Sequence, residues 1–325
     1  MKHSASNGQV MTVLGPISAD ELGVTLVHEH MAFGFPGWSA DETVAPYDSE
    51  AIEAKCLSIL KDVKAVGVKS VIDATPCDVG GRDPAILKNL AEKSGVHIIA
   101  ATGLYYEKDG GSSYFKWLQF AQRDVEQDIY ELFKQEITAG IGKTGVRAGV
   151  IKVSTDDPLI SEYEQMVARA AVRAANETGV PIITHCQGST VGPVQQDLFL
   201  RLGANPKKIM IGHQNNSLDV DYHLSQLEKP DFFIAFDRTG SINDPKAEDC
   251  LIELIKKGHA DRLMISHDSI GVWLGRPIDL GPKAAEWYPT YIHKRLIPKM
   301  KAAGVNDAQI QTMLVDNPRR LFAGE

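Results

Sequence analysis

Eight short apolar runs, each followed by a polar tip and then a helical pattern, organise almost the whole chain. They are Val24–Val27, Ser70–Ala74, Ile98–Thr102, Gly149–Val153, Pro181–Thr184, Ile209–Gly212, Phe232–Phe236 and Leu263–Ser266. Their hydrophobicity is continuous rather than alternating, the pattern of a parallel strand covered on both faces. Glycines close the amphipathic stretches between them: Gly67, Gly95, Gly140, Gly179, Gly203, Gly258 and Gly304. Glycine past a helix end takes the left-handed conformation without a Cβ clash. Eight β-then-α units in 325 residues predict an α/β fold of the TIM (β/α)8 barrel type. A doubly wound open sheet uses the same parts and is the alternative; the number of units and the length favour the barrel. No linker or composition shift divides the chain, so residues 1–325 are read as one domain. Residues 1–23 form an N-terminal closing segment, in which Val10–Gly23 covers the barrel floor. The barrel takes 24–304, and 305–325 adds a C-terminal helix.

Composition narrows the partners. The net charge is −8 and no basic run occurs, which argues against nucleic acid. No segment approaches the ~20 apolar residues of a membrane span. The polar start, Met1 to Gln9, lacks the apolar stretch of a signal peptide. Cys56, Cys77, Cys186 and Cys250 are scattered, as reduced thiols in the cytoplasm would be.

The strand tips carry the chemistry. In this kind of barrel the active site lies at the C-terminal strand ends. The first run ends in His28-Glu29-His30, and i and i+2 share one face of a strand. The fourth run carries Lys152, the fifth ends in His185, the sixth in His213 and the eighth in His267-Asp268. His267 alternates away from Asp268 and belongs behind it. His3, His97, His223, His259 and His293 lie elsewhere. Imidazole and carboxylate suit zinc and its neighbours. Four histidines and an aspartate exceed the three ligands of one catalytic zinc, which points to two ions with an anionic bridge. Lys152 is the odd member, because an ammonium beside two cations is repelled. A lysine paired with Asp268 without metal, or a Schiff-base lysine, is an open alternative.

At this point a family resemblance emerges. Gly-Pro-Ile at 15–17 and Leu-Gly-Val-Thr-Leu-Val-His-Glu-His at 22–30 resemble the opening of the phosphotriesterase family, within the amidohydrolase superfamily. Ala-Thr-Gly-Leu-Tyr at 101–105, Val-Ile-Lys-Val at 150–153, Ile-Thr-His at 183–185, Ile-Gly-His at 211–213, Phe-Asp-Arg at 236–238 and Ser-His-Asp at 266–268 follow in family order. The resemblance implies that His28, His30 and Asp268 hold a buried metal and His185 and His213 an exposed one. It implies two divalent ions, zinc first, with cobalt, manganese or iron as alternatives. Lys152, carboxylated by carbon dioxide, and a hydroxide would bridge them. The hydroxide would attack the substrate and Asp268 would take its proton. The resemblance also implies a homodimer.

The substrate expected from the same likeness is a lactone, acyl-homoserine or other, with promiscuous phosphotriester hydrolysis. A dedicated phosphotriesterase is the alternative, and a non-catalytic binding barrel a further one. Tyr105 stands where lactonase-like members carry tyrosine and the dedicated phosphotriesterase tryptophan. Arg238 also resembles the lactonases; a salt bridge to a loop carboxylate is its structural alternative. Three long segments are read as binding loops: Met31–Pro46, the mobile-looking Glu107–Trp117, and Ser269 to about Pro289. The string Gly-Ile-Gly-Lys-Thr-Gly at 140–145 follows a helix and leads into a strand, the reverse of a dinucleotide fingerprint. Asp73 and Asp237 are read as structural candidates.

Overall fold

A computed structural model describes residues 8–240, 245–281, 284 and 286–325; His3 lies outside them. The sheet contains β1 (Thr25–Phe33), β2 (Ser70–Asp73), β3 (His97–Leu104), β4 (Val150–Thr155), β5 (Ile182–Cys186), β6 (Ile209–Ile211) and β7 (Phe233–Phe236). Its last strand, β8, comes in two pieces, Leu263–Ile265 and Ser269–Trp273. All pairings in it are parallel and follow chain order. The first piece of β8 pairs with β7 and the second with β1, so the ring closes through the broken strand. The expected eight-stranded TIM barrel is therefore present.

The break in β8 corrects the expected start of the last loop at Ser269, because residues through Trp273 are strand. Glu29 joins the two pieces. Its Oε1 accepts from Ser266 Oγ (2.8 Å), His267 N–H (3.0 Å) and His267 Nδ1–H (2.7 Å). Its Oε2 accepts from Ser269 N–H at 2.9 Å. A strand that resumes after three polar residues leaves no apolar run to read. The first loop is likewise shorter than expected, since β1 continues to Phe33. The segment read as mobile is half helix, Ser112–Phe120. Gly111 N–H donates to Asp78 Oδ2 (2.8 Å) and Ser112 Oγ to the Glu107 carbonyl (2.9 Å), fixing the helix start.

Two apolar layers hold the barrel. Alternate strand residues such as Ile151, Val153, Ile182 and Cys186 pack outward with the helices. Val27, Ile72, Ile99, Val150, Ile183, Met210, Phe233 and Met264 fill the interior. The floor is covered by an antiparallel hairpin, Gln9–Thr12 with Gly15–Ser18. Val10, Ala19 and Leu22 from this segment join the interior cluster. So do Leu321 and Phe322 from the helical run Asp307–Ala323. Fully burying one such side chain contributes roughly 1.5–3 kcal/mol.

The helices form where their ends are written. Glu162–Thr178 starts at a reciprocal cap: Ser161 Oγ accepts from Glu164 N–H (3.2 Å), and the Glu164 carboxylate from Ser161 N–H (3.0 Å). It stops at Gly179, where φ is +78°. All seven glycines expected to close helices have positive φ. No helix among the described residues is long and apolar enough to cross a membrane.

Candidate metal centre

A local irregularity in β1 aims the first two histidines. Leu26 packs outward and Val27 inward. Strict alternation would then send His28 out. The register against β2 shifts between Leu26 and Glu29, a bulge that resets the alternation. His28 and His30 therefore both turn inward while Glu29 takes the outer face. On the facing side of the barrel, Lys152 extends from β4 and its Nζ lies 2.6 Å from His28 Nε2. His185 is the penultimate residue of β5, and His213 and Asp268 stand just past β6 and the first piece of β8. The latter two have φ of +59° and +52°, a conformation rare outside glycine. Such strained backbone is common at functional sites. The six residues expected as ligands are thus brought together at the C-terminal mouth.

The hydrogen bonds decide where the protons are. Asp237 Oδ2 accepts from His28 Nδ1–H at 2.6 Å, and Oδ1 from His213 Nδ1–H at 2.9 Å. Oδ1 also accepts His213 N–H at 2.6 Å. His30 Nδ1 is 2.8 Å from Thr75 Oγ1, whose own hydroxyl reaches the Ala32 carbonyl. His185 Nε2–H donates to Gln187 Oε1 at 2.7 Å. Each ring has one nitrogen satisfied from behind and turns a lone pair forward.

Two groups of acceptors then face one another. His28 Nε2 and His30 Nε2 lie 3.3 and 3.2 Å from Asp268 Oδ1. His213 Nε2 lies 2.8 Å from His185 Nδ1. With the rings protonated on the nitrogens that face Asp237, Thr75 and Gln187, lone pairs at these separations repel unless a cation stands between them. Nitrogen with carboxylate oxygen at the first group fits a zinc-like ion, and the second offers two ring nitrogens of the same kind. His28, His30 and Asp268 are one of the groupings able to hold an ion; His28, His213 and Asp237 are another. The second uses ring Nδ1 atoms against Asp237, so we read that carboxylate as orienting the rings.

Electrostatics agree with this proton placement. Burial first, then Lys152, lowers the His28 pKa despite Asp268 and Asp237. Burial and Arg238 push His213 down to about 3, and burial with His213 holds His185 well below its usual range. His28, His185 and His213 are therefore neutral, as ligands must be. Burial alone would raise Asp237 and Asp268, but the surrounding histidines reverse it and hold both carboxyls below the carboxylate range. Burial pushes Lys152 down to about 8, opposed by Asp268 and Asp237.

Tyr105 and Arg238 complete the rim. The Tyr105 ring is half-buried against His185, with centroids 5.0 Å apart, and its backbone N–H donates to Asp78 Oδ1 at 2.8 Å. Arg238 Nε donates to Asp268 Oδ2 at 2.9 Å, and Arg238 N–H to Asn215 Oδ1 at 2.9 Å. Arg238 thus pairs with Asp268 at the centre itself. Sequence reasoning missed the double acceptor role of Asp237. The one available signal was a carboxylate at a strand tip beside Arg238. Asp73 does prove structural, accepting Met31 N–H and Thr75 N–H. His267 stays behind the centre, with Nδ1 on Glu29 and Nε2 accepting Ile292 N–H.

Fold and site define a class: a (β/α)8 barrel whose mouth presents a histidine, aspartate and lysine donor set. A profile of the phosphotriesterase family matches residues 8–322, and the chain belongs to that family. It is a hydrolase. The chain is 42% identical to an organophosphorus hydrolase from Deinococcus radiodurans, with TM-score 0.93 and 99% of both chains covered. It is similarly close to a variant of a phosphotriesterase-like lactonase from that organism, at 42% identity and TM-score 0.92, covering 96% of this chain and 99% of the other. A phosphotriesterase homology protein of Mycobacterium tuberculosis is 35% identical over 97% of both chains.

Proposed function

We propose that the protein is a metal-dependent lactonase with weaker activity on phosphotriesters. The observation that carries the metal reading is the pair of facing acceptor groups, His28/His30/Asp268 and His185/His213. In this reading His28, His30 and Asp268 would hold one ion and His185 and His213 a second, with carboxylated Lys152 as a ligand they could share. Two divalent ions, zinc before cobalt, manganese or iron, would acidify water and polarise the substrate's carbonyl oxygen there.

The chain's own residues do the rest. The Lys152 amine adds carbon dioxide: its lone pair forms the N–C bond, a C=O π bond opens onto oxygen, and one N–H proton leaves to water. A site crowded with lone pairs thereby replaces a cation by an anion. Burial favours the neutral amine that this step needs. Asp268 is ionised and largely buried, fit to take the proton of the attacking water at a carboxylate oxygen. Arg238 on Oδ2 fixes that carboxylate's rotation. Burial, with Asp268, pushes the Tyr105 phenol up, so it remains an O–H donor. In this reading it donates a hydrogen bond to the lactone ring oxygen as the acyl C–O bond breaks, and the leaving oxygen takes up the proton that Asp268 accepted, giving a hydroxy acid.

The placement of Tyr105 and Arg238 at the rim supports lactone over phosphotriester. Four unpaired cysteines fit a cytoplasmic location. Exposed Tyr114, Trp117 and Phe120 on one helix fit a homodimer. The test is metal content of the purified protein, then turnover of a long-chain lactone against an aryl dialkyl phosphate. Less than about one ion per chain removes the metal reading. Faster turnover of the phosphate by orders of magnitude makes the protein a dedicated phosphotriesterase.

A further inference from the structure

Ser154 is the polar group beside the centre that no contact explains. β4 alternates strictly: Val150 belongs to the interior, Ile151 and Val153 to the outer layer. Thr155 also faces outward, its Oγ1 accepting from Gln195 Nε2 at 2.7 Å. Lys152 and Ser154 therefore share the inner face, Ser154 one step nearer the mouth. It pairs in register with His185 on one side. On the other, Leu104 pairs with Val153, which sets Tyr105 beside it. The Tyr105 and His185 rings meet at 5.0 Å, between the strands flanking Ser154. The Ser154 hydroxyl is buried and has no hydrogen-bond partner. Buried hydroxyls are nearly always paired, so this one calls for an acceptor.

We propose that Ser154 is a positioning residue for carboxylated Lys152, its hydroxyl donating to a carbamate oxygen. The inference rests on the carbamate reading given above. Substrate is a poor alternative partner, since the hydroxyl is closed off from solvent. Carboxylation adds two acceptor oxygens and a negative charge to a side chain on the same strand face. Lys152 Nζ now lies 2.6 Å from His28 Nε2. It must withdraw for that nitrogen to bind an ion, and withdrawal takes it back toward its own strand, where Ser154 stands. A hydroxyl donating to an anion makes a bond about twice as strong as a neutral one.

The experiment uses the full chain, stripped of metal and bicarbonate, then reloaded with zinc over a series of ¹³C-bicarbonate concentrations. The readouts are the ¹³C carbamate resonance and the zinc retained. Wild type gives a carbamate signal and bicarbonate-dependent zinc uptake. Ser154→Ala raises the half-saturating bicarbonate about tenfold or more, the size of a lost hydrogen bond to a charged group. Ser154→Thr keeps the hydroxyl and stays near wild type. Thermal melts check each fold; if the alanine variant fails, Ser154→Cys, similar in size and a weak donor, is read the same way. Equal bicarbonate dependence in wild type and Ser154→Ala overturns the role of Ser154 and leaves the carbamate standing. No carbamate signal in wild type overturns the carbamate, and this inference with it.

Discussion

The lower and upper halves of the barrel are built from the same strands and differ in what they bury. Below, β4 gives Val150 and β5 gives Ile183 to a dry interior that Leu22, Leu321 and Phe322 close from beneath. Two residues further along the same face, the same strands give Lys152 and His185, equally buried. The lower layer is stabilised by area removed from water. The upper layer must match every buried polar group to a partner, since an unpaired one costs about 1–3 kcal/mol. Asp237, Thr75 and Gln187 do that matching. Stability and chemistry are thus separated by about two residues of strand, roughly 7 Å.

Substitutions in the two halves should therefore fail in different ways. The largest effect is expected from Asp268→Asn. The amide cannot take a proton, and kcat on the lactone should fall by about 10²–10⁴-fold, the usual weight of a general base. The melting temperature should fall less than for a core truncation, because the amide oxygen still accepts from Arg238 Nε although the charge is lost. A variant retaining more than a tenth of wild-type kcat would end the proton-acceptor role. In the lower half, Phe233→Ala should do the reverse. Its ring is fully buried in the interior cluster. Its loss should destabilise by about 3–5 kcal/mol in denaturant titration, while kcat per folded molecule is kept. A collapse of kcat at unchanged stability would show that the two halves are not separable.

The same division explains what the sequence made legible. The eight apolar runs could be read because a parallel strand covered on both faces needs an unbroken apolar stretch. The polar tips could be read because histidine, lysine and aspartate stand out at the end of such a run. The bulge at Val27–His28 left no trace, since both the apolar run and the His-x-His spacing look regular. Nor did the second piece of β8, which Glu29 secures from 240 positions away. The pairing of Asp237 with His28 spans 209 positions and joins two strands that are not neighbours in the sheet. Contacts of this kind arise from barrel closure, and no local pattern carries them.

Asp237 gives the next test, because it belongs to the upper half without facing substrate. Asp237→Asn keeps the shape but offers only one acceptor oxygen to two rings. One of His28 and His213 then loses the bond that fixes its tautomer. Zinc affinity should fall about 10–100-fold, as for other residues that orient metal ligands. Competition with a chromophoric chelator measures it, and adding excess zinc should restore most of the activity. Unchanged affinity would assign Asp237 to fold alone.

The smallest expected change is at the rim. Tyr105→Phe removes one hydroxyl and leaves the ring against His185 and Phe33. Losing one hydrogen bond of about 0.5–1.5 kcal/mol lowers kcat/KM for the lactone by roughly 2- to 12-fold. The leaving oxygen of an aryl dialkyl phosphate is an acidic phenol that needs little help, so the phosphotriester rate should hardly change. The ratio of the two rates is therefore the measurement, taken with metal content matched. An equal loss on both substrates would place Tyr105 in the packing around His185. A selective loss on the lactone would make its hydroxyl the point where this mouth tells a ring ester from a phosphate.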